Sequence, residues 1–510
     1  MAEQAKDTRD KDKDPSPAGA LKGASRELTV ALPGAGDARC EATADWMILR
    51  KDDKPVAEMF HVHYRMASGR RADRPVTFVF NGGPGAASAY LHVGALGPRR
   101  VHFNADGSLP KPPARLVDNL ETWLAFTDLV FIDPIGTGFS RTIAAPAADA
   151  APSTDAKAAA PAAPKEADHE FFTMSRDLES LGEFISRFLS KHQLWTNPVF
   201  IAGESYGGFR AAKLTRLLQQ GYGVGLSGAM LISPAMELHL LDGGDYDALH
   251  WLELFPSMAL SALHHGRSRG FAAGTTAEGA REQAEAFATG PLASLLIRGR
   301  GLSDAEYTSI CHQAAALIGL PEAFVRERGG RVTREAFVRE LLREQRVVCG
   351  LYDASMLAID PFSDRDSFHG ADPTLFAVER AFTAGINAHL RTTLGLETDR
   401  DYRLLSFEVN NTWKLDGRKH AFELQVGATD DLRYGMALNP HMRVMITHGY
   451  YDLVTPYFAS ARLAQLMRLQ PSQRERLVMT SYLGGHMYYA WEASRRAFRA
   501  DVGAFYAASV

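Results

Sequence analysis

Two different spacings of apolar positions run along this chain, and the switch between them outlines its organisation. Apolar and polar residues partly alternate over Ala44–Lys51 and Val56–Met66, which predicts half-buried strands. Two short, strongly apolar runs follow, Val76–Phe80 and Leu129–Ile132, each ending in a glycine- and proline-rich turn. Runs of that kind predict strands covered on both faces. From Ser175 to His192 the spacing becomes three and four, and Leu178, Leu181, Ile185, Phe188 and Leu189 fall on one face of a predicted helix. A strand beginning at Val199, a helix over Phe209–Leu218 and a strand over Ala229–Ser233 come next.

Between about Glu237 and Lys419 strand-like runs become scarce. Helix-like stretches such as Glu282–Ala288, Glu322–Arg328 and Thr333–Arg346 replace them. Strands return at Arg443–Thr447 and Leu477–Tyr482, with a helical stretch over Tyr457–Leu469 between them. Strands alternating with helices imply an α/β architecture, a mostly parallel sheet covered on both faces. The long helical stretch is then expected as a cap inserted between late strands. The expected divisions are a disordered tail over 1–25, a first core part over 26–236, a mostly helical cap over 237–419 and a second core part over 420–510. The stretch 143–167, dominated by Ala, Pro, Asp and Lys without aromatic anchors, is expected as a mobile surface loop within the first part.

At 510 residues, one large domain with an insertion or two domains are expected. Hydrophobic residues make up 46% and charged residues 23%, which is ordinary for a globular protein. A formal net charge of -4 gives no electrostatic case for nucleic acid or an anionic membrane surface as partner. No apolar run is long enough to span a membrane. The first residues, Met1 to Asp14, lack the apolar core of a signal peptide. Cys40, Cys311 and Cys349 cannot build a disulfide framework. A cytoplasmic location is the expectation.

Candidate chemistry centres on Val199-Phe-Ile-Ala-Gly-Glu-Ser-Tyr-Gly-Gly208, where a β-type run meets Gly203-x-Ser205-x-Gly207 and then a helix. That is the pattern of a nucleophile elbow, a sharp strand-to-helix turn that presents a serine hydroxyl above a parallel sheet. A serine hydroxyl needs a neighbouring base. On this architecture an acid and then a histidine should follow it in the sequence. Asp452, after strand Arg443–Thr447, and His486, after strand Leu477–Tyr482, stand at the strand ends where the fold requires them. Ser205 is thus the expected nucleophile, His486 the general base and later acid, and Asp452 the residue that orients the imidazole. An oxyanion hole needs two backbone N–H donors. Tyr206 supplies one, and the loop Asn81-Gly-Gly-Pro-Gly85 the other, from Gly83.

Four blocks carry a resemblance: Asn81-Gly-Gly-Pro-Gly85, Phe131-Ile-Asp-Pro-Ile-Gly-Thr-Gly-Phe-Ser140, Gly203-Glu-Ser-Tyr-Gly207 and Gly485-His-Met487, with Asp452 in a looser fifth. Together they resemble the serine carboxypeptidases (peptidase family S10), α/β-hydrolases that remove C-terminal residues from peptides. The resemblance runs from about Arg50 to the end of the chain. It implies that Asn81 and Glu204 hold the terminal carboxylate of a peptide substrate, and that no metal or other cofactor takes part. This chain departs from the pattern where Ala95 replaces a second glutamate two residues before Gly97-Pro98. It also has Val79 for a tryptophan, and Ala86-Ala87-Ser88 in place of a half-cystine motif, so the usual disulfide is absent.

The expected activity is a metal-independent serine carboxypeptidase acting through an acyl-enzyme. An esterase, acyltransferase or amidase on the same triad is the alternative kept alive by Ala95. A non-enzymatic binding protein is the third reading, opposed by the ordered triad. His61-Val-His63 places two imidazoles on one strand face, but no third metal ligand is apparent and exposed strand histidines are commoner. His264-His265 is expected to be structural or to lie at the surface. Met487-Tyr488-Tyr489 is expected either to line a pocket for the leaving residue or to pack in the core.

Overall fold

The computed structural model describes residues 22–34, 36–67, 74–143, 170–415 and 426–510. Its frame is a ten-stranded sheet. The strands are β1 (Ala24–Leu32), β2 (Gly36–Lys51), β3 (Lys54–Met66), β4 (Val76–Phe80), β5 (Asp128–Ile132), β6 (Arg141–Thr142), β7 (Val199–Glu204), β8 (Gly228–Ile232), β9 (Arg443–Gly449) and β10 (Leu477–Tyr482). They lie in the order β1-β2-β3-β5-β4-β7-β8-β9-β10, with β6 paired to β3. From β5 to β10 neighbouring strands run parallel, whereas β1, β2 and β3 form antiparallel pairs that end on β5. This is the α/β-hydrolase fold, with a mostly parallel mixed sheet at its centre.

Both faces of the sheet are buried, which is why its central strands read as unbroken apolar runs. On one face Phe78, Ile201 and Leu231 pack beneath α1 (Met174–His192) and α2 (Tyr206–Gly221), which bring Leu181, Phe184, Phe188 and Leu214. On the other face Val79, Phe200, Ala202 and Ile232 meet helices from two distant parts of the chain. The C-terminal helix Glu492–Ser509 supplies Phe498, Val502, Phe505 and Tyr506, and the helix Pro373–Asn387 supplies Val378, Phe382 and Ile386.

The stretch expected as one cap is therefore shared between two cores. Residues from Trp251 to Cys349 build a separate helical core around Leu254, Phe255, Met258, Leu317 and Phe337. Tyr451, Leu453, Tyr457 and Phe458 join it from the sheet side. The later helix Pro373–Asn387 belongs to the sheet's own core, because Phe382 and Ile386 pack there with Tyr90 and Leu91. Within the helical part, Thr333–Arg346 is α-helical over Arg334–Glu340, has a 3-10 turn at Arg343–Gln345 and reaches a short hairpin strand at Val347–Cys349.

The tail needs a correction. Ala24 and Ser25, expected in a disordered tail over 1–25, are the first residues of β1 and pair with Ala44 and Thr43 of β2. Within β1 only Val30 is fully buried, so backbone pairing with a long neighbour holds the strand and its side chains leave no periodic signal. The rest of that tail, residues 1–21, lies outside the described residues, as do residues 144–167 of the expected Ala/Pro-rich loop. His61 and His63 are buried, not exposed, with ring contacts to Phe184 and Phe188 of α1.

Candidate active site

Strand β7 ends at Glu204, α2 begins at Tyr206, and Ser205 alone makes the turn, at φ 62° and ψ -125°. A non-glycine residue held in that region costs about 1–3 kcal/mol and persists only where its surroundings over-determine it. Here they do. Ser205 N donates to Ile232 O at 2.9 Å, and its carbonyl accepts from Gly208 N at 2.9 Å and Ala235 N at 3.2 Å. The motif's first glycine is a matter of space, since a Cβ on Gly203 would run into the carbonyl of Gly207. Ser205 is partly exposed while Glu204 and Tyr206 on either side are buried, so the turn lifts one hydroxyl out of the core.

The other two triad candidates meet on the neighbouring strand ends. After β9 the chain turns through Asp452, and after β10 through His486, whose Nδ1 lies 2.7 Å from Asp452 Oδ2. Asp452 is completely buried and its carboxylate is held from several sides. Oδ1 accepts from the backbone N–H groups of Val454 (2.8 Å) and Thr455 (3.0 Å), and Oδ2 accepts from the Thr455 hydroxyl at 2.7 Å. Burial works against a charged imidazole at His486, but Asp452 and then Glu204 outweigh it and hold its pKa above the ordinary value. The Ser233 hydroxyl donates to His486 O at 2.8 Å, which ties the histidine loop to the end of β8, beside the elbow.

A segment of the helical part clamps the same loop. Tyr352 O accepts from His486 N, the Tyr352 ring lies edge-on to the imidazole at 5.4 Å, and Asp353 Oδ2 accepts from Gly485 N at 2.9 Å. Burial pushes the Asp353 carboxyl up to about 6.

The loop after β4 is pressed onto the elbow. A methyl group added to Gly82 would sit 2.5 Å from Tyr206 N and 2.7 Å from Gly207 N, so only glycine lets the two backbones approach. Gly83 follows at φ +96°, and among the described residues its N–H donates to no acceptor. Tyr206 N heads α2, where the helix dipole favours negative charge. The loop thus packs Gly82, the residue before Gly83, against the start of the helix that follows Ser205.

Asn81 and Glu204 touch. The Asn81 amide Nδ2 donates to Glu204 Oε2, Asn81 Oδ1 accepts from Leu91 N at 3.0 Å, and Tyr489 Oη donates to Glu204 Oε1 at 2.8 Å. Burial lifts the Glu204 carboxyl from its ordinary 4.5 to about 7, although His486 and the hydrogen bonds from Tyr489 and Asn81 pull the other way. Ala95 is buried in a widened helical turn over His92–Leu96 and brings no carboxyl group.

The two roles expected of Met487-Tyr488-Tyr489, pocket and core, are divided within the pair Tyr488-Tyr489. The Tyr488 hydroxyl lies 2.6 Å from Thr447 Oγ1 in the sheet core, while Tyr489 reaches Glu204. Met487 and Ala490 line a mainly apolar cavity of about 760 Å³ with Met356, Val378 and Ala381. Thr455 and Asp353 went unnoticed. Thr455 lies three residues after Asp452, in a turn where nothing in the sequence marks a hydroxyl that reaches both Asp452 and His486, and Asp353 meets Gly485 only across a separation of 132 residues. Arg210 also went unnoticed. Its signal was a lone charge inside the apolar helix run Phe209-Arg-Ala-Ala, and it is 1% exposed.

Residues 35–240 match the family model described as serine carboxypeptidase. Serine carboxypeptidase-like 13 of Arabidopsis thaliana is 27% identical over 164 residues, which covers 31% of this chain and 32% of the relative. Serine carboxypeptidase-like 5 of the same plant is 25% identical over 194 residues, 36% of this chain and 38% of the relative. The matched stretch thus spans about a third of these relatives' length. A proline iminopeptidase from Mycobacterium smegmatis superposes with a TM-score of 0.34 and 13% identity, covering 95% of this chain and 98% of that one. Asn81, Gly83, Glu204, Ser205 and Tyr206 lie inside the family match, and Asp452 and His486 lie beyond it.

Proposed function

We propose, for a chain that belongs to the serine carboxypeptidase family through residues 35–240, that it removes C-terminal residues from peptides by way of an acyl-enzyme on Ser205. The family match and the fold support a serine hydrolase. The observation that carries the finer reading is the buried Asn81–Glu204 pair beside Ser205, with the carboxyl at about 7. A substrate carboxylate brought against an ionised Glu204 would be repelled. Against the protonated acid it finds a hydrogen-bond donor, because two carboxyl groups in contact share a proton.

In the proposed reaction Ser205 Oγ attacks the carbonyl carbon of the last peptide bond while His486 Nε2 takes its proton. The Asp452 carboxylate stabilises the imidazolium through Nδ1–H, and the N–H groups of Gly83 and Tyr206 receive the developing oxyanion. The C–N bond breaks as His486 returns the proton to the leaving amine, which departs as an amino acid. Water, deprotonated by His486, then attacks the acyl carbon, and the shortened peptide leaves with Ser205 reprotonated.

A second reading, ester or amide hydrolysis without recognition of a free terminus, is favoured by Ala95, which leaves one carboxyl group where the resemblance implies two. The three cysteines are unpaired and buried, in keeping with a cytoplasmic site of action as part of the proposal, which cell fractionation checks. To test the main reading, the protein is treated with a fluorophosphonate probe and separately with a peptide bearing a free C-terminus. The reading requires an adduct on the Ser205 peptide and stepwise release of single C-terminal amino acids. Internal cleavage, or ester hydrolysis alone, contradicts it.

A further inference from the structure

We infer that Arg210, together with Asp177, is a positioning residue that aims the Gly83 N–H at the reaction centre, an assignment that rests on the serine-hydrolase reading above. Arg210 lies on α2, five residues after Ser205, and its guanidinium is fully inside the protein. Nε donates to Asp177 Oδ2 at 2.7 Å and Nη2 to Asp177 Oδ1 at 3.1 Å, a two-point pairing with a buried carboxylate on α1. The remaining nitrogen, Nη1, donates to Asn81 O at 2.6 Å and Gly82 O at 3.3 Å.

The last contacts explain the arrangement. Gly82 C=O and Gly83 N–H belong to one trans peptide unit, so they point in opposite directions. A donor holding the carbonyl from the α1 side therefore fixes where the N–H points on the other side. Withdrawing electrons at the carbonyl also makes that N–H a stronger donor. The next unit back behaves likewise through Asn81 O, and it belongs to the residue whose side chain meets Glu204.

The helix that carries the nucleophile thus also carries the clamp on the oxyanion loop. Only a planar fork can pair with a carboxylate on one edge and reach two carbonyls from the other; a lysine offers a single point. Asp177 compensates the buried charge and sets the fork's orientation. The Tyr206 ring, 5.0 Å from the guanidinium carbon, closes a further side.

The test uses the full chain and the variants Arg210→Lys and Arg210→Met/Asp177→Leu. The double variant removes both charges together, so that no unpaired ion is left in the core. Measured are Tm, kcat and KM on a cleavable substrate, and affinity for a peptide aldehyde, whose adduct with Ser205 places its oxygen in the hole. Affinity for the cleaved product is measured alongside. In Arg210→Lys, kcat and aldehyde affinity are expected to fall about 10- to 100-fold, with KM and product affinity within about twofold. The double variant is expected to keep a Tm near that of the wild type and still show the same losses. A double variant that regains both Tm and kcat overturns the assignment, as does equal loss of product and aldehyde affinity. A wild-type chain that neither hydrolyses substrate nor reacts with a fluorophosphonate removes the serine-hydrolase reading itself, and this assignment with it.

Discussion

Tyr489 Oη donates to Glu204 Oε1 at 2.8 Å, so the residue three places after His486 is tied to the residue immediately before Ser205. The contact joins the histidine loop to the elbow through a carboxyl group that burial holds near neutral pH. Any change in that carboxyl's protonation is felt next to Ser205.

Removing the donor should raise the Glu204 pKa further, because the Tyr489 hydroxyl favours the ionised form. A hydrogen bond to a charged group contributes about 1.5–3 kcal/mol, which corresponds to an upward shift of about one unit or more. In Tyr489→Phe the alkaline limb of the rate profile on a free-acid peptide should move up by that amount. Hydrolysis of the matching amide should change little. A profile unchanged within error on both substrates would show that the contact does not govern the carboxyl.

Glu204 also makes the fold sensitive to pH. Its carboxyl titrates near 4.5 when unfolded and at about 7 when folded, so the folded state binds the proton more tightly. The contribution of Glu204 is then fully present below about pH 4.5 and is lost as pH rises through about 7, amounting to about 3 kcal/mol. Glu204→Gln should remove this part of the pH dependence. The difference in unfolding free energy between wild type and variant, followed by denaturant titration, should vary across that window and level off on either side. A constant difference would contradict the assigned burial effect.

The strained turn makes a prediction of opposite sign for stability and activity. Ser205 occupies φ 62°, which glycine adopts without penalty. Ser205→Gly should therefore raise stability by about 1 kcal/mol while abolishing hydrolysis. Calorimetry on wild type, Ser205→Gly and Ser205→Ala separates relief of strain from loss of the hydroxyl, since alanine keeps the strain.

Asp353 accepts from Gly485 N and from Trp491 Nε1, which holds the histidine loop against the helical part. Asp353→Ala leaves the buried Gly485 N–H without its acceptor, at a cost of about 1–3 kcal/mol, and frees the loop that carries His486. We expect a lower Tm and a fall in kcat of about 10-fold or more, with a smaller change in KM. Wild-type kcat in a folded variant would show that Tyr352 O and Ser233 suffice to place His486.

The sequence made the middle of the sheet legible because strands buried on both faces have no choice but to be apolar. Val76–Phe80 emerges with the expected ends and Val199 begins a strand as expected, while Leu477–Tyr482, a half-buried edge strand, also keeps its expected bounds. Ser205, Asp452 and His486 stand out in the sequence because each follows a parallel strand of the sheet, β7, β9 and β10, in the order expected of this architecture. What stayed hidden depended on partners distant in the chain. Strand β1 is held by its backbone, so its side chains carry no pattern. The helix Pro373–Asn387 has an ordinary amphipathic face, and nothing local says whether that face meets the sheet or the other helices. Arg210 stands out in the sequence only as a lone charge in an apolar run and Tyr489 only as one of two adjacent tyrosines; the atoms they reach, Asn81 O and Glu204 Oε1, are set by the fold.

Recognition of a free C-terminus through Glu204 and Asn81 is read out by the ratio of kcat/KM on an N-blocked dipeptide to that on its C-terminal amide. The ratio is followed from about pH 4.5 to about pH 8, in wild type and Glu204→Gln, with Ser205→Ala as the blank. A preference for the free acid of about 10-fold or more is expected at low pH, the worth of one charge-assisted hydrogen bond. That preference should decline as pH passes about 7, and in Glu204→Gln it should no longer vary with pH. A wild-type ratio near or below one across the range would contradict the account and assign the triad to a hydrolase that does not read the terminus.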